Sequence, residues 1–439
     1  MAGSIIRSHM DTADRPSTSL RASVATSVSA RTNQRNAVLA GFLGWTLDAF
    51  DFFVLTFIVQ DVATAFGRSR ADIAWTVGLA LITRPIGAII FGLIADRYGR
   101  RLPLMLNVIF YAVISVLCGL APNYMTFVLL RLAFGIGMGG EWGVGASLAL
   151  ESASPRLRGL LSGLLQEGYA LGNLLAALAY RTVYVSVHAA HPDYAWRVMF
   201  FIGGLPALLS LFIRARVKES EAWHEHRVDW HTYRTGIWQH WPRFFYLVLM
   251  MTMMAFMSHG TQDMYPTFLQ HERQYSPSDT ATLTMITNVG AILGGLAFGW
   301  YSDRAGRRRA MISSALFGML VVPLWVLAPG TALIAVGGFL IQFFVQGCWG
   351  IIPAHINELS PPRYRGFFPG FAYQLGAALT AGIPWIEAKL AEYFTYGQAM
   401  AGVALTVMLG VAVVTFFGPE AHRVSFRKLQ DGRMAELQH

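Results

Sequence analysis

A polar run interrupts an apolar segment in the second half of the chain. His259 and Asp263 stand four residues apart, so on a helix they lie on one face, one turn from each other. An imidazole and a carboxylate at this spacing can hydrogen-bond, exchange a proton, or hold a polar substrate together. A buried histidine is usually structural, but packing alone does not explain why Thr261 and Gln262 accompany the pair. We therefore predict that His259, Gln262 and Asp263 are functional and act on a polar substrate, on a proton, or on both.

A second pair of ionisable groups lies near the start of the chain. Asp48 and Asp51 are three residues apart inside an apolar segment, which again places them on one helical face. Two carboxylates this close do not both remain ionised away from water, and the pair is therefore a predicted proton site. The alternative is that one of them only neutralises Arg84 in the next apolar segment.

Arg131 and Glu141 occur in a glycine-rich apolar segment. Arginine keeps its charge and grips a carboxylate through a planar fork, so Arg131 predicts an anionic substrate. Because Arg131 stands about two turns inside its segment, it could instead extend to the outer interface. Glu141 lies deeper, where it either carries a proton or pairs with a neighbouring arginine.

Amide side chains interrupt the apolar segments of the second half. We predict that Asn288 contacts the substrate, although an amide there can equally join two helices. The same alternatives hold for three glutamines, Gln342, Gln346 and Gln374.

The segments that position these side chains are membrane helices. The 439 residues are 54% hydrophobic and only 13% charged, which indicates a polytopic all-α membrane protein. A bilayer core of about 30 Å requires about 20 apolar residues per helix. Twelve such segments are predicted, at 36–60, 72–95, 102–121, 125–150, 159–187, 197–215, 243–270, 277–301, 309–328, 331–357, 366–386 and 396–417.

One half of the chain repeats the other. The pattern G-x-x-x-D-R-x-G-R-R occurs at 92–101 and again at 299–308, and Asp96 and Asp303 differ by 303 − 96 = 207 positions. A second set of residues obeys the same offset: Glu151, Pro155, Arg156, Arg158 and Gly159 return as Glu358, Pro362, Arg363, Arg365 and Gly366. Two motifs with one offset indicate two pseudo-symmetric six-helix halves. The predicted parts are an N-terminal tail 1–35, halves 36–215 and 243–418, a linker 216–242, and a C-terminal tail 419–439.

The repeated motifs predict a conformational gate. Gly92 and Gly299 permit two helices to approach closely. Asp96 and Asp303 stand at helix ends, where each can pair with arginines or cap a neighbouring helix. Such charged contacts can form in one conformation and break in another. The alternative is that the charges only set the membrane topology. The predicted gate residues are Asp96, Arg97, Arg100, Glu151, Asp303, Arg304, Arg307 and Glu358.

Charge placement predicts the orientation. Arginines follow the even-numbered segments, and short cytoplasmic loops collect such residues, so both termini and the linker are expected in the cytoplasm. The net charge of +9 follows from this rule and from attraction to anionic lipid, and it requires no nucleic-acid partner. The two cysteines, Cys118 and Cys348, form no disulfide framework. No metal-ligand spacing occurs, so neither a metal nor a cofactor is expected.

The twin G-x-x-x-D-R-x-G-R-R motifs resemble the signature of the major facilitator superfamily. This resemblance implies two six-helix halves around a central cavity and transport by rocking of the halves about a site near the midplane. It further implies that the first and fourth helices of each half line the cavity.

The run around His259 is similar to the seventh-helix signature N-x-x-S/T-H-x-S/T-Q-D-x-x-x-T of monocarboxylate permeases in the sialate:proton symporter family. Each position matches except the first, where Ala255 replaces asparagine. The resemblance implies that His259 and Asp263 serve proton-coupled transport and that Arg131 recognises a carboxylate.

The expected function is proton-coupled import of a small monocarboxylate, such as lactate or pyruvate, by a monomer in the plasma membrane, namely a bacterial inner membrane. Its partners would be a small organic anion, a proton and membrane lipid. Alternative cargoes are sialic acid or a dicarboxylate, and a nutrient sensor that moves no ligand is a further alternative. An enzyme is not expected, because no nucleophile and base constellation or nucleotide-binding loop occurs.

Overall fold

The computed structural model describes residues 18–225, 238–380, 386 and 389–426, with side chains from residue 32 onward except that of Pro277. Over these residues the protein is helical and contains no strand. Twelve helices are numbered here in chain order. In the N-terminal half they are α1 Thr18–Phe66, α2 Arg70–Tyr98, α3 Arg101–Leu120, α4 Tyr124–Glu151, α5 in the parts Arg158–Gln166, Gly168–Ala179, Tyr180–Tyr184 and Val185–Ala190, and α6 in the parts Pro192–Ile202 and Ala207–Arg216.

The C-terminal half repeats this arrangement after a short linker helix, Glu221–Glu225. Its helices are α7 Trp241–Gln262 with the continuations Tyr265–Thr267 and Phe268–Glu272, α8 Pro277–Ala305, α9 Arg307–Leu327, α10 Thr331–Leu359, α11 Phe368–Ala378 and α12 Tyr396–Phe417. The predicted class, an all-α membrane protein of two six-helix halves, is confirmed.

Eleven helices of the described chain are long and apolar enough to cross a bilayer. The remaining predicted segment, 366–386, is helical over Phe368–Ala378, and residues 381–385 lie outside the described part. Helix α1 begins at Thr18, so the second half of the predicted tail 1–35 is helical rather than separate from the first segment. Residues 226–237 of the predicted linker and 427–439 of the predicted C-terminal tail also lie outside the described residues.

Glycines set the packing within each half, and they follow the repeat. At Gly87 the backbone oxygen of Ile136 leaves no room for a Cβ, which brings α2 against α4. At Gly294 the backbone oxygen of Phe343 does the same between α8 and α10. Both residues are shifted by 207 positions (294 − 87 and 343 − 136), so the duplication seen in sequence is also a duplication of packing.

The two halves meet at the end of the bundle that carries Asp96 and Asp303, which we call the motif end. A Cβ on Gly92 would lie 2.8 Å from Phe367 Cα, and one on Gly143 would lie 2.5 Å from Gly370 Cα, so α2 and α4 press against α11. The first part of α5 approaches α8 and α10 in the same way. Beyond Gln166, α5 packs on α1 of its own half instead. The halves are thus closed together at the motif end, and the space between them opens toward the far end.

Candidate functional site

The polar run of α7 ends in a pair of accessible ionisable side chains, of which Asp263 is within electrostatic range of Tyr169 in the other half. His259 Nδ1 lies 3.1 Å from Asp263 Oδ2, and the two side chains are 45% and 31% exposed. The helix is interrupted directly after this pair, and Pro266 follows where a continuing helix would need another backbone N–H donor. The imidazole and carboxylate therefore form the hydrogen-bonded pair that their spacing predicted, at an accessible helix end.

The amides next to this pair join α7 to α10. Gln262 Nε2 donates to Gln342 Oε1 at 2.9 Å, and Gln342 Nε2 donates to Thr261 Oγ1 at 3.2 Å. Gln342 thus has the helix-joining role that the sequence left as one of two alternatives. Gln262 also donates to Ser258 Oγ at 3.1 Å while remaining exposed. Asn288 on α8 is exposed and shares a helix face with Gly295, seven residues on, which packs against Glu167 of the other half.

Three carboxyl groups are buried inside the N-terminal half. Asp48, Asp51 and Glu141 are each 0% exposed. Asp51 Oδ1 accepts a hydrogen bond from Ser115 Oγ at 2.6 Å, whereas the carboxylate oxygens of Asp48 and Glu141 have no hydrogen-bond partner among the described residues. Glu141 packs directly on Gly44 of α1, where a Cβ would collide with it. The structure therefore brings these three predicted proton sites into one polar cluster.

Arg131 belongs to the same cluster. Its guanidinium is 0% exposed, lies 4.4 Å above the centroid of the Phe134 ring, and is within electrostatic range of Asp48 and Asp51. The side chain thus does not extend to the outer interface, the alternative left open by the sequence. It lies in the core of the N-terminal half, whereas His259 lies on the open face of the C-terminal half.

Arg84 of α2 is the ionisable side chain that sequence reasoning treated only as a counter-ion. Its guanidinium lies 5.7 Å from the centroid of the Trp45 ring, and Nε and Nη2 have no hydrogen-bond partner among the described residues. It is within electrostatic range of Asp48 and Glu141, and also of Tyr169 and Tyr373. The signal that could have identified it is an arginine in the middle of an apolar segment.

Aromatic side chains from both halves surround this guanidinium. Tyr373 of α11 stacks on Trp142 of α4 with ring centroids 4.0 Å apart and meets Trp349 of α10 edge-on at 5.6 Å. Trp45 stacks on Tyr169 at 5.5 Å. We call these five residues the aromatic floor. Tyr169 is within electrostatic range of both Arg84 and Asp263, so the floor lies between the charged groups of the two halves.

At the motif end, Asp96 joins the halves. Its Oδ1 accepts hydrogen bonds from Arg100 Nη1 and from the backbone N–H of Gly366, both at 2.6 Å. Its Oδ2 accepts from the backbone N–H of Phe367 at 3.1 Å. Because Gly366 and Phe367 precede α11, the carboxylate caps a helix of the opposite half. Arg100 also donates to Glu151 Oε1 at 3.1 Å.

Asp303 repeats this arrangement in the other direction. Its oxygens accept from the backbone N–H groups of Gly159 and Leu160, at 2.8 and 3.0 Å, which start α5 of the N-terminal half. Arg307 donates to Asp303 at 2.9 Å and grips Glu358 through Nε and Nη2 at 2.9 and 3.0 Å. Glu358 also accepts from Arg158 of the opposite half at 3.0 Å.

The two remaining predicted gate residues are Arg304 and Arg97. Arg304 is exposed, and its guanidinium lies 3.6 Å from the centroid of the Trp300 ring on its own helix. Arg97 is partly exposed beside Asp96. The other six gate residues form the two networks described above.

A model described as Major Facilitator Superfamily matches residues 41–384 and 245–435. A "Carboxylic acid transporter protein homolog" of Saccharomyces cerevisiae is 29% identical over 84% of this chain, which spans 63% of the length of the yeast protein. A "Probable 4-methylmuconolactone transporter" of Cupriavidus pinatubonensis is 30% identical, and the match includes 90% of this chain and 93% of that protein.

A "Sialic acid transporter NanX" of Escherichia coli is 28% identical, with 88% of this chain matching 94% of that protein. Among solved structures, the proton:xylose symporter XylE bound to 6-bromo-6-deoxy-D-glucose superposes with a TM-score of 0.70 at 20% identity, covering 90% of this chain and 97% of the other. At that identity the likeness concerns the fold alone.

Proposed function

Since this chain belongs to the major facilitator superfamily, we propose that it is a secondary active transporter that moves a small monocarboxylate, such as lactate or pyruvate, together with a proton. The observation that carries the proposal is that Tyr169 of the aromatic floor lies within electrostatic range of Arg84, which has two nitrogens without a partner among the described residues, and of Asp263 in the exposed His259–Asp263 pair. We propose no enzymatic activity for the protein.

Arg84 is proposed as the anion-binding group. Two of its nitrogens lack partners, and arginine stays charged at any physiological pH, so a carboxylate that reaches it gains charge-assisted hydrogen bonds. The aromatic floor excludes water around this contact and strengthens it. His259 and Gln262 approach from the other half and can donate to the same anion. One guanidinium at the floor suits a substrate with one carboxylate.

Charge balance in the N-terminal half supports proton coupling. Three carboxyl groups, Asp48, Asp51 and Glu141, share a buried cluster with two guanidiniums, those of Arg84 and Arg131. With every group ionised the cluster carries one net negative charge, and uncompensated buried charge is costly. A bound proton neutralises it. When a substrate anion docks on Arg84, Asp48 loses part of its counter-charge, so a further proton accompanies the anion.

Alternating access is proposed from the inter-half hydrogen bonds. Asp96 and Asp303 hold the motif end closed, while His259 and Asp263 remain accessible from the far end. Rocking of the halves would part the two caps and expose the same site at the motif end. We propose that the motif end and both termini face the cytoplasm of a bacterial cell, that the protein lies in the inner membrane, and that one chain contains the whole pathway.

Sialic acid is the second candidate cargo. The Escherichia coli sialic acid transporter that resembles this chain over most of its length favours it. A larger polyhydroxylated acid would need more hydrogen-bonding groups, and Gln374 of α11 has both amide atoms without a partner among the described residues. Competition of unlabelled lactate, sialic acid and succinate against labelled lactate separates the three cargo classes.

The test is uptake of radiolabelled lactate into proteoliposomes under an inward proton gradient. For one proton per anion, each pH unit supports about tenfold accumulation. The Asp48→Asn variant is expected to lose accumulation above equilibrium while still exchanging labelled for unlabelled lactate, because the carboxylate that would take up the further proton is lost and Arg84 remains. Asp193→Asn, an exposed carboxylate at the far end, is the matched control. Folded, inserted protein that takes up no lactate would overturn the small-monocarboxylate proposal.

A further inference from the structure

The segment that follows α12 turns back across the motif end. Glu420 accepts hydrogen bonds from the backbone N–H groups of Arg307 and Arg308, at 3.3 and 3.0 Å, which begin α9. His422 Nε2 lies 3.0 Å from the backbone oxygen of Asp303. This segment, residues 418–426, therefore attaches to the same helix ends that carry the C-terminal gate residues.

One side chain of this segment, Phe426, is inserted between the two halves. The guanidinium of Arg158, from the N-terminal half, lies 3.7 Å from the centroid of the Phe426 ring. The guanidinium of Arg365, from the C-terminal half, lies at the same 3.7 Å. Phe426 is only 3% exposed, and Arg158 Nη1 also donates to the backbone oxygen of Val424 at 2.9 Å. One ring thus contacts two arginines that are equivalent in the internal repeat (365 − 158 = 207).

These two arginines need such a contact when the motif end is closed. Both are 1% exposed, and Arg365 Nη1 has no hydrogen-bond partner among the described residues. Burial, together with the neighbouring Arg100 and Arg158, lowers the pKa of Arg365 to about 10 although Glu151 opposes them. The negative faces of an aromatic ring attract cations, so Phe426 stabilises Arg365 and adds to the ion pair that Arg158 makes with Glu358.

We propose that Phe426 is a latch that stabilises the conformation with the motif end closed, and that segment 418–426 must withdraw before the halves part there. Arg158 and Arg365 move with different halves, so parting the halves separates at least one guanidinium from the ring. The C-terminal segment then sets how readily the motif end opens. This inference rests on the proposed function only in taking that end to open during transport.

The experiment measures the distance across the motif end directly. Arg156 and Arg363 are exposed, one on each half, and accept spin labels as Arg156→Cys and Arg363→Cys, since both native cysteines are buried. Phe426→Ala and Phe426→Leu are compared with the parent in proteoliposomes. Loss of the ring removes two desolvated cation–π contacts that stabilise the closed motif end. We therefore expect the fraction of molecules with long distances between the two spin labels to rise about tenfold or more. Phe426→Trp keeps a ring and is expected to retain the parent distribution.

Phe417→Ala is the matched control, because that ring is 81% exposed at the end of α12. Phe426→Leu keeps apolar bulk, so it remains informative if the alanine variant is unstable. Distance distributions of Phe426→Leu and Phe426→Ala that match the parent would overturn the latch. A parent that transports no carboxylate, but whose distances lengthen on loss of the ring, would overturn the proposed cargo and leave the latch standing.

Discussion

Replacing Arg84 by alanine is expected to lower kcat/KM for carboxylate uptake by about 100-fold or more. Hydrogen bonds between charged partners contribute about 1.5–3 kcal/mol each, and an arginine fork can offer two. The Arg84 nitrogens Nε and Nη2 have no partner among the described residues, so a substrate anion is the partner whose loss the variant would reveal. The measurement is the initial uptake rate across a range of substrate concentrations in proteoliposomes.

Arg84→Lys and Arg309→Ala complete this test. Lysine keeps the charge but not the planar fork, so an intermediate loss is expected. Arg309 is exposed at the motif end, and its removal controls for loss of one positive charge. Uptake by Arg84→Ala within a few-fold of the parent, with unchanged thermal stability, would contradict the assignment of Arg84 and would direct attention to His259 as the main anion contact.

Neutralising the two motif-end carboxylates is expected to have the largest effect on conformation. In Asp96→Asn and Asp303→Asn, an amide group replaces one of the two acceptor oxygens, so two N–H donors face each other where a hydrogen bond was. The negative charge that pairs with Arg100 or Arg307 is also lost. Each carboxylate makes two hydrogen bonds to the opposite half, so the equilibrium between closed and open motif ends should shift on the order of 100-fold for each variant.

The two variants should behave alike, because their geometries repeat. Asp96 bonds Gly366 and Phe367 at 2.6 and 3.1 Å, and Asp303 bonds Gly159 and Leu160 at 2.8 and 3.0 Å. Spin labels at positions 156 and 363 report the opening, and Asp193→Asn is the control for removal of a surface carboxylate. If both gate variants keep the parent distances, the inter-half caps do not hold this conformation. If only one changes, the two caps are not energetically equivalent.

Much of this architecture could be predicted from the sequence. Helix length, apolar composition and the 207-residue offset are properties of the chain itself, and the fold class predicted from them is confirmed. The four-residue spacing of His259 and Asp263 likewise determines their contact, because one helix turn brings them together whatever packs around it.

The placement of the buried charges was decided by tertiary packing. Arg131 and Arg84 are both arginines inside apolar helices, and neither local sequence determines what surrounds the guanidinium. Neighbouring helices do so: Arg131 lies above Phe134 within electrostatic range of two aspartates, while Arg84 lies beside Trp45 and the tyrosines of the aromatic floor. The floor itself had no sequence signal, since aromatic residues in apolar helices are usually core.

By itself, then, the sequence determined the number of helices, the duplication, and the residues that one helical turn brings together. Only the tertiary structure decided which charged side chains are buried together, that Asp96 and Asp303 cap helices of the opposite half, and that Phe426 lies between Arg158 and Arg365. The reason is physical. Periodicity and hydropathy act over a few residues, whereas the surroundings of a buried side chain depend on close helix contacts, such as those at Gly92 and Gly143, between residues far apart in the chain.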